Sequence, residues 1–288
     1  MGFFAEVSAW LDAVLSGYIG STTALVAAAL EPAVVTLAVV YVIGWGYLQA
    51  SGQIQEPFVD GLQRMARIAL VVGVGLRLWL YNSVVVDSFF NAPASLAAAV
   101  VGSPDSVTII DQIIFSGGDA AAALMQKGGV LSGNLSFYLA GFFVYAAVGM
   151  AAIYTIFLLC LSKVALSVLL ALGPFFIATL LFRAARRLFD AWIAQLVNYG
   201  LIAVLATLVV ALLMRLLTSA ADAAAARATA ITIADGVRVC FCSGLVFLVL
   251  RQVMPMASGL AQSVALSSYG AVSQGAKWAL QAAGISRI

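Results

Sequence analysis

The sequence predicts an all-α polytopic membrane protein of about five or six hydrophobic helical segments, with amphipathic extramembranous helices beside them. Three observations lead there. Residues 136–182 carry a single charge, Lys163, and as helix they would extend about 70 Å against a hydrocarbon core of about 30 Å. The chain is 64% hydrophobic and 9% charged, where soluble domains run at about 25% charged. Its mean hydropathy is +1.10. A core able to hide such a segment from water does not exist in soluble domains of this size. Lipid is its solvent.

The first element, residues 1–31, is expected to be an amphipathic periplasmic segment. Phe3, Phe4, Val7, Trp10, Leu11, Val14, Leu15 and Tyr18 recur at helical spacing, with Glu6, Ser8 and Asp12 opposite them. One face is too polar to span, and its acidic character argues against docking on anionic lipid. The first thirty residues hold no Lys or Arg, so the basic start of a cleavable signal is missing.

Residues 32–86 hold the first two spans. Pro32 favours a first helical position, opening a span at about Ala33–Ala50. A polar loop with Gln53, Gln55, Glu56, Asp60, Arg64 and Arg67 precedes a second span at about Ile68–Val86. Residues 87–135 form a non-spanning periplasmic loop region. Pro93, Pro104, Gly117–Gly118 and Gly128–Gly129 are expected to break helices there. Within it Ser103–Pro104–Asp105 reads as a helix start, followed by a narrow apolar face of Ile109, Ile110, Ile113 and Ile114.

Residues 136–254 make a C-terminal membrane bundle. Its later spans lie at about Trp192–Leu217 and Val237–Met254, the last closed by Pro255. Residues 255–288 are a basic tail rich in small residues that permit close helix approach. Charge sets the expected orientation. Residues 236–288 contain no Asp or Glu, and residues 87–119 have four acids and no base. Under the positive-inside rule the amino terminus is periplasmic, Arg64 and Arg67 are inside, 87–135 is periplasmic and the tail is cytoplasmic. Two crossings by 136–182 would strand Arg183, Arg186 and Arg187 outside. One crossing followed by a re-entrant element, broken at Gly173–Pro174, keeps them inside and gives five crossings.

Few residues suggest chemistry. There is no histidine, so the commonest general base and metal ligand are missing. Cys160, Cys240 and Cys242 sit in apolar runs and read as small buried hydrophobes. Neither a nucleophile elbow nor a phosphate-binding glycine loop occurs. The reading is a non-enzyme without cofactor or metal. Arg77 lies near the middle of the second span, where a charge costs about 2.5–3.5 kcal/mol. It either meets an anionic translocating substrate or subunit interface, or snorkels beside Trp79, Tyr81 and Asn82. Lys163, Arg215 and Arg251 sit near segment ends and read as snorkelling cations. The most distinctive run is Gly173 to Trp192, with a Gly-Pro break, a basic turn through Arg187, and Phe189 and Trp192 one helical turn apart.

That run resembles the TrbL-like family, polytopic inner-membrane subunits of bacterial type IV secretion and conjugation machines. The Leu-Gly-Pro segment, the Arg-Arg-Leu-Phe that follows and Trp192 at the start of the next span carry the resemblance. The span layout is similar too, and covers most of the chain. On the resemblance, Trp192 matches the family's characteristic tryptophan, Gly173–Pro174 its Gly-Pro turn, and Arg187 and Phe189 its basic-aromatic approach. The shortness of 87–135 implies that long-loop functions of larger members are reduced here.

The resemblance implies a channel and assembly-platform subunit in the Gram-negative inner membrane. It would support pilus biogenesis and translocation of DNA or protein. Its partners would be a pilus-tip or stalk subunit, bitopic scaffold proteins, the inner-membrane ATPase complex, further copies of itself, membrane lipid and, transiently, the substrate. Arg77 and Gly173–Trp192 would shape the assembly interior, and Trp10, Ile110 and Ile114 would offer a periplasmic docking surface. The rival reading, a small-solute transporter, calls for pseudo-symmetric repeats and a mid-membrane polar site, and neither is visible. A membrane enzyme of the acyl or polyprenyl type would want histidine or clustered acids.

Overall fold

Backbone amides in hydrocarbon have no water to bond, so a chain of this composition must satisfy them within helices. A computed structural model describes residues 2–52, 65, 68–69, 71–101, 106–128, 135–182, 185–225 and 232–282, and all their regular structure is helical. In order these are α1 (Phe3–Ala50), a π-type turn (Val71–Gly75), α2 (Leu78–Tyr81), a second π-type stretch (Asn82–Asn91), α3 (Ala92–Val101) and α4 (Ser106–Lys127). There follow α5 (Leu135–Ala171), α6 (Gly173–Ala178), a 3-10 turn (Thr179–Leu181), α7 (Arg186–Ala225) and α8 (Ile233–Ala282).

Four described helices are long and apolar enough to cross a membrane: Phe4–Ala50, Leu135–Ala171, Arg186–Leu212 and Ile233–Gln262. The expected second span is not one continuous α-helix. Arg77 adopts an extended conformation (φ −90°, ψ 97°) between two differently wound pieces. Gly73 and Gly75 precede it, and glycines beside a charge are where an apolar helix breaks at least cost. The loop at 53–64, Ser103–Pro104–Asp105 and Arg183 lie outside the described residues.

Proline was expected to open one span and close another, and it does neither. Pro32 lies inside α1 and Pro255 inside α8. Each forfeits one amide bond, and the alanines before Pro32 favour helix strongly enough to carry the turn through.

The chain divides into two units. The first comprises Met1–Val14, Ala92–Val164 and Tyr199–Ser258. Its core takes Ala120, Ala121 and Leu124 from α4, Val144, Val148, Ala151 and Leu158 from α5, Ile202, Ala206 and Val210 from α7, and Val239, Val246, Leu250 and Val253 from α8. Apart from the adjacent Ala120 and Ala121, each set recurs every three, four or seven residues and so marks one helix face. The second unit comprises Leu15–Asn91, Ala165–Asn198 and Gly259–Ile288.

Gly117 and Gly118, expected as breakers, sit inside α4. Gly117 abuts the Val148 side chain, Gly141 abuts Met125 and the Ala121 carbonyl, and Gly128 abuts the backbone of Tyr138. The pairs 117/148, 125/141 and 128/138 run in opposite senses along the chain, so α4 and α5 form an antiparallel hairpin. Between helices in lipid, close van der Waals contact replaces the hydrophobic drive, and small residues allow it. Part of the expected loop region thus packs into the first unit's core.

A Cβ at Gly141 would meet the Ala121 carbonyl oxygen at 2.8 Å, whereas one at Gly149, two turns on, would meet nothing within 4 Å. Gly141→Ala should therefore cost about 1–3 kcal/mol. Gly149→Ala should be neutral or stabilise by up to about 1 kcal/mol. Thermal unfolding of the purified protein in detergent would show the contrast.

Candidate functional site

The end of α5 creates a local problem. The last four carbonyls of a helix have no partner within it. Here the following residue, Leu172, turns with φ −87° and ψ 1°, and α6 starts at once with Pro174 in its first turn. Proline suits that place, since an amide there has no helical acceptor. The break expected at Gly173–Pro174 is thus present, one residue after the helix ends.

Side chains from elsewhere in the second unit close the open carbonyls. The Leu172 amide donates to the Val168 carbonyl at 3.2 Å. The Trp192 indole N–H donates to the Leu169 carbonyl at 2.9 Å. The Tyr81 hydroxyl donates to the Leu170 carbonyl in a short hydrogen bond. Gly173 lies so close to the Tyr81 hydroxyl that a Cβ would overlap it. Glycine is needed there for space. Trp192 is 3% exposed and Tyr81 1%.

Aromatic packing fixes the tryptophan ring. Phe176 of α6 stacks on it with centroids 5.7 Å apart and planes 13° from parallel. Phe189, one turn earlier on α7, lies 5.6 Å away at 47°. Ile177 packs over Gly75, where a Cβ would meet its side chain at 2.9 Å. Thr179 closes α6 by donating its hydroxyl to the Phe176 carbonyl at 2.6 Å. Gly173, Pro174, Phe189 and Trp192 are therefore brought together.

Arg187 and Arg77 are exposed and stand outside this packing. Arg77 contributes its carbonyl, which accepts the Tyr81 amide at 2.9 Å. Tyr81 was read from sequence only as an interfacial aromatic. It is instead the buried member of the joint, while Trp79 is 80% exposed. A phenol at position 81 and a Gly-Pro far along the chain give no pairwise signal in one sequence.

In the first unit the expected docking residues separate. Trp10 is 66% exposed, Ile114 is half-buried and Ile110 is fully buried. The apolar face of α4 is used, at Ile110, for packing within the protein. Lys163 does not simply snorkel. Its ammonium meets both Asp12 carboxylate oxygens at 2.7 Å and the Ser8 hydroxyl at 3.1 Å. The polar face of the N-terminal turns is therefore partly consumed inside the chain.

This ion pair bears on the expected sidedness. From Leu135 to Lys163 α5 rises about 42 Å, more than the hydrocarbon core of about 30 Å. A crossing by this part of α5 would put residues 135 and 163 on opposite faces of the membrane, with Asp12 on the side of Lys163. The N-terminal turns and the carboxyl end of α4 would then lie on opposite sides. Single cysteines at the exposed positions Ala9 and Gln126 should be labelled by an impermeant thiol reagent from opposite faces of membrane vesicles. Labelling of both from one face would contradict the pairing.

What the second-unit arrangement can do is mechanical. It joins a broken helix to its successor through capped carbonyls and stacked rings. The comparisons with known proteins fall on this same stretch. Residues 38–253 match the family described as TrbL/VirB6 plasmid conjugal transfer protein. A type IV secretion system protein VirB6 of Bartonella quintana (strain Toulouse) is 25% identical over 209 residues, covering 70% of this chain and 63% of the relative. One of the same name from Brucella abortus (biovar 1, strain 9-941) is 26% identical over 173 residues, covering 55% of this chain and 48% of the relative. The chain thus spans less than two thirds of the length of these relatives. With the Gly173–Trp192 joint and most of the last three of the four long helices inside the matched region, the chain belongs to the TrbL/VirB6 family of plasmid conjugal transfer proteins.

Proposed function

We propose that this chain is an inner-membrane subunit of the channel and assembly platform of a type IV secretion system. The observation that carries the proposal is the family match over residues 38–253, which includes the capped joint. Its relatives bear the name of a type IV secretion system protein over the aligned length. Physical features support a scaffold role. The joint holds α5, α6 and α7 in one arrangement through hydrogen bonds and ring packing. Much of α1 presents apolar side chains outward, Leu25, Val40, Ile43 and Tyr47 among them, as a helix does that faces lipid or another subunit.

In this reading the protein is multi-pass, and its basic tail, residues 255–288, lies in the cytoplasm by the positive-inside rule. It assembles as a homo-oligomer. A pilus-tip or stalk subunit docks from the periplasm, and bitopic scaffold proteins and the inner-membrane ATPase complex complete the machine. DNA or protein substrate passes along the assembly, where the exposed Arg77 would meet its negative charge. Trp10, exposed on the N-terminal turns, is a docking anchor for a subunit on its own side of the membrane.

Removing the gene from its host should abolish substrate transfer and pilus assembly, and supplying it in trans should restore both. Trp192→Ala should fail to restore transfer while the protein remains inserted at normal abundance. Full transfer in the deletion strain would refute the proposal. So would solute uptake by the purified chain alone in liposomes, which is the transporter's signature.

A further inference from the structure

The first unit contains a second construction that the joint does not involve. The opening turns of α1 lie over a cavity of about 240 Å³. Val7 and Leu11 line it from α1, Ile110 from α4, Ile156 and Cys160 from α5 and Thr207 from α7. Ser8, Asp12 and Lys163 stand on the same lining as its polar edge. Two of the contacts that hold the turns in place are polar. One is the Asp12–Lys163–Ser8 group. The other is the Phe4 amide, which donates to the Asp111 carboxylate at 3.4 Å.

The pair has the character of a fastening that opens. The Lys163 and Asp12 side chains keep 26% and 43% of their surface exposed, so separating them does not strand a fully buried charge. Cutting one partner removes the attraction without collapsing a core.

We propose that Asp12 and Lys163 form a clasp that holds the first three turns of α1 shut over this cavity. Its release uncovers the cavity and the Lys163 ammonium together. The clasp is a conformational device of the first unit and stands whether or not the secretion reading does.

Cys160 reports on the cavity directly. With Cys240 and Cys242 replaced by alanine, N-ethylmaleimide labelling of Cys160 in native membranes reads its accessibility, with labelling in denaturant as the total. Asp12→Asn and Lys163→Gln should each raise the rate by about tenfold. The exchange of Asp12→Lys with Lys163→Asp should return it to the parental rate. The two single changes alter the local charge in opposite directions, so a field effect on the thiol would drive their rates apart, while opening raises both. Unchanged rates, opposite changes, or an exchanged pair as reactive as the single variants would overturn the clasp. A protein retaining only Cys240 should label at one rate throughout. An equal rise there would signify general loosening and count against the clasp as well.

Discussion

A helix that ends where packing shuts out water leaves carbonyls without partners, and the second unit is organised around closing them. The end of α5 opens acceptors at Val168, Leu169 and Leu170. The Leu172 amide, the Trp192 indole and the Tyr81 hydroxyl take one each. In a low-dielectric surrounding an unmet carbonyl costs several kcal/mol, so each donor stabilises the helix end it closes. The rest follows in order. Gly173 is small because Tyr81 must reach past it, Pro174 is tolerated because its missing amide has no acceptor there, and Phe176 and Phe189 pack the indole in the orientation its bond requires.

Much of this was legible in the sequence, for identifiable reasons. The all-α membrane character follows from hydropathy alone, since 136–182 admits no other solvent. The Gly173–Trp192 run stood out because a breaker, a basic turn and spaced aromatics are each local signals. Tyr81 was not legible, because its bond to Leu170 joins residues 89 apart in sequence. Prolines misled at positions 32 and 255, where helices run through them. Gly117 misled in the same way. A glycine in a membrane helix is as readily a contact point as a stop, and only the opposing Val148 tells which.

Charge was a partial guide, because counting basic residues treated Lys163 as a solitary snorkelling cation. The carboxylate of Asp12 is 151 residues away in sequence yet within 2.7 Å in space. A cation in an apolar helix needs a partner or an escape to the interface, and sequence alone shows the escape more readily than the partner. The pair also accounts for the acidic N-terminal face, which looked like a docking surface and is in part an internal one.

The chain belongs to the TrbL/VirB6 family, and the capped joint lies within the residues that carry the match. That account depends on the capped end of α5. The most direct measurement is the isotope-edited infrared carbonyl band of Leu169, labelled with carbon-13 and oxygen-18, in the lipid-reconstituted protein. In the parent it should lie at the lower frequency of a hydrogen-bonded carbonyl, and Trp192→Phe, which keeps the ring and removes the donor, should move it to higher frequency. A band that does not move would mean that the indole N–H does not close this carbonyl, and the account would fail.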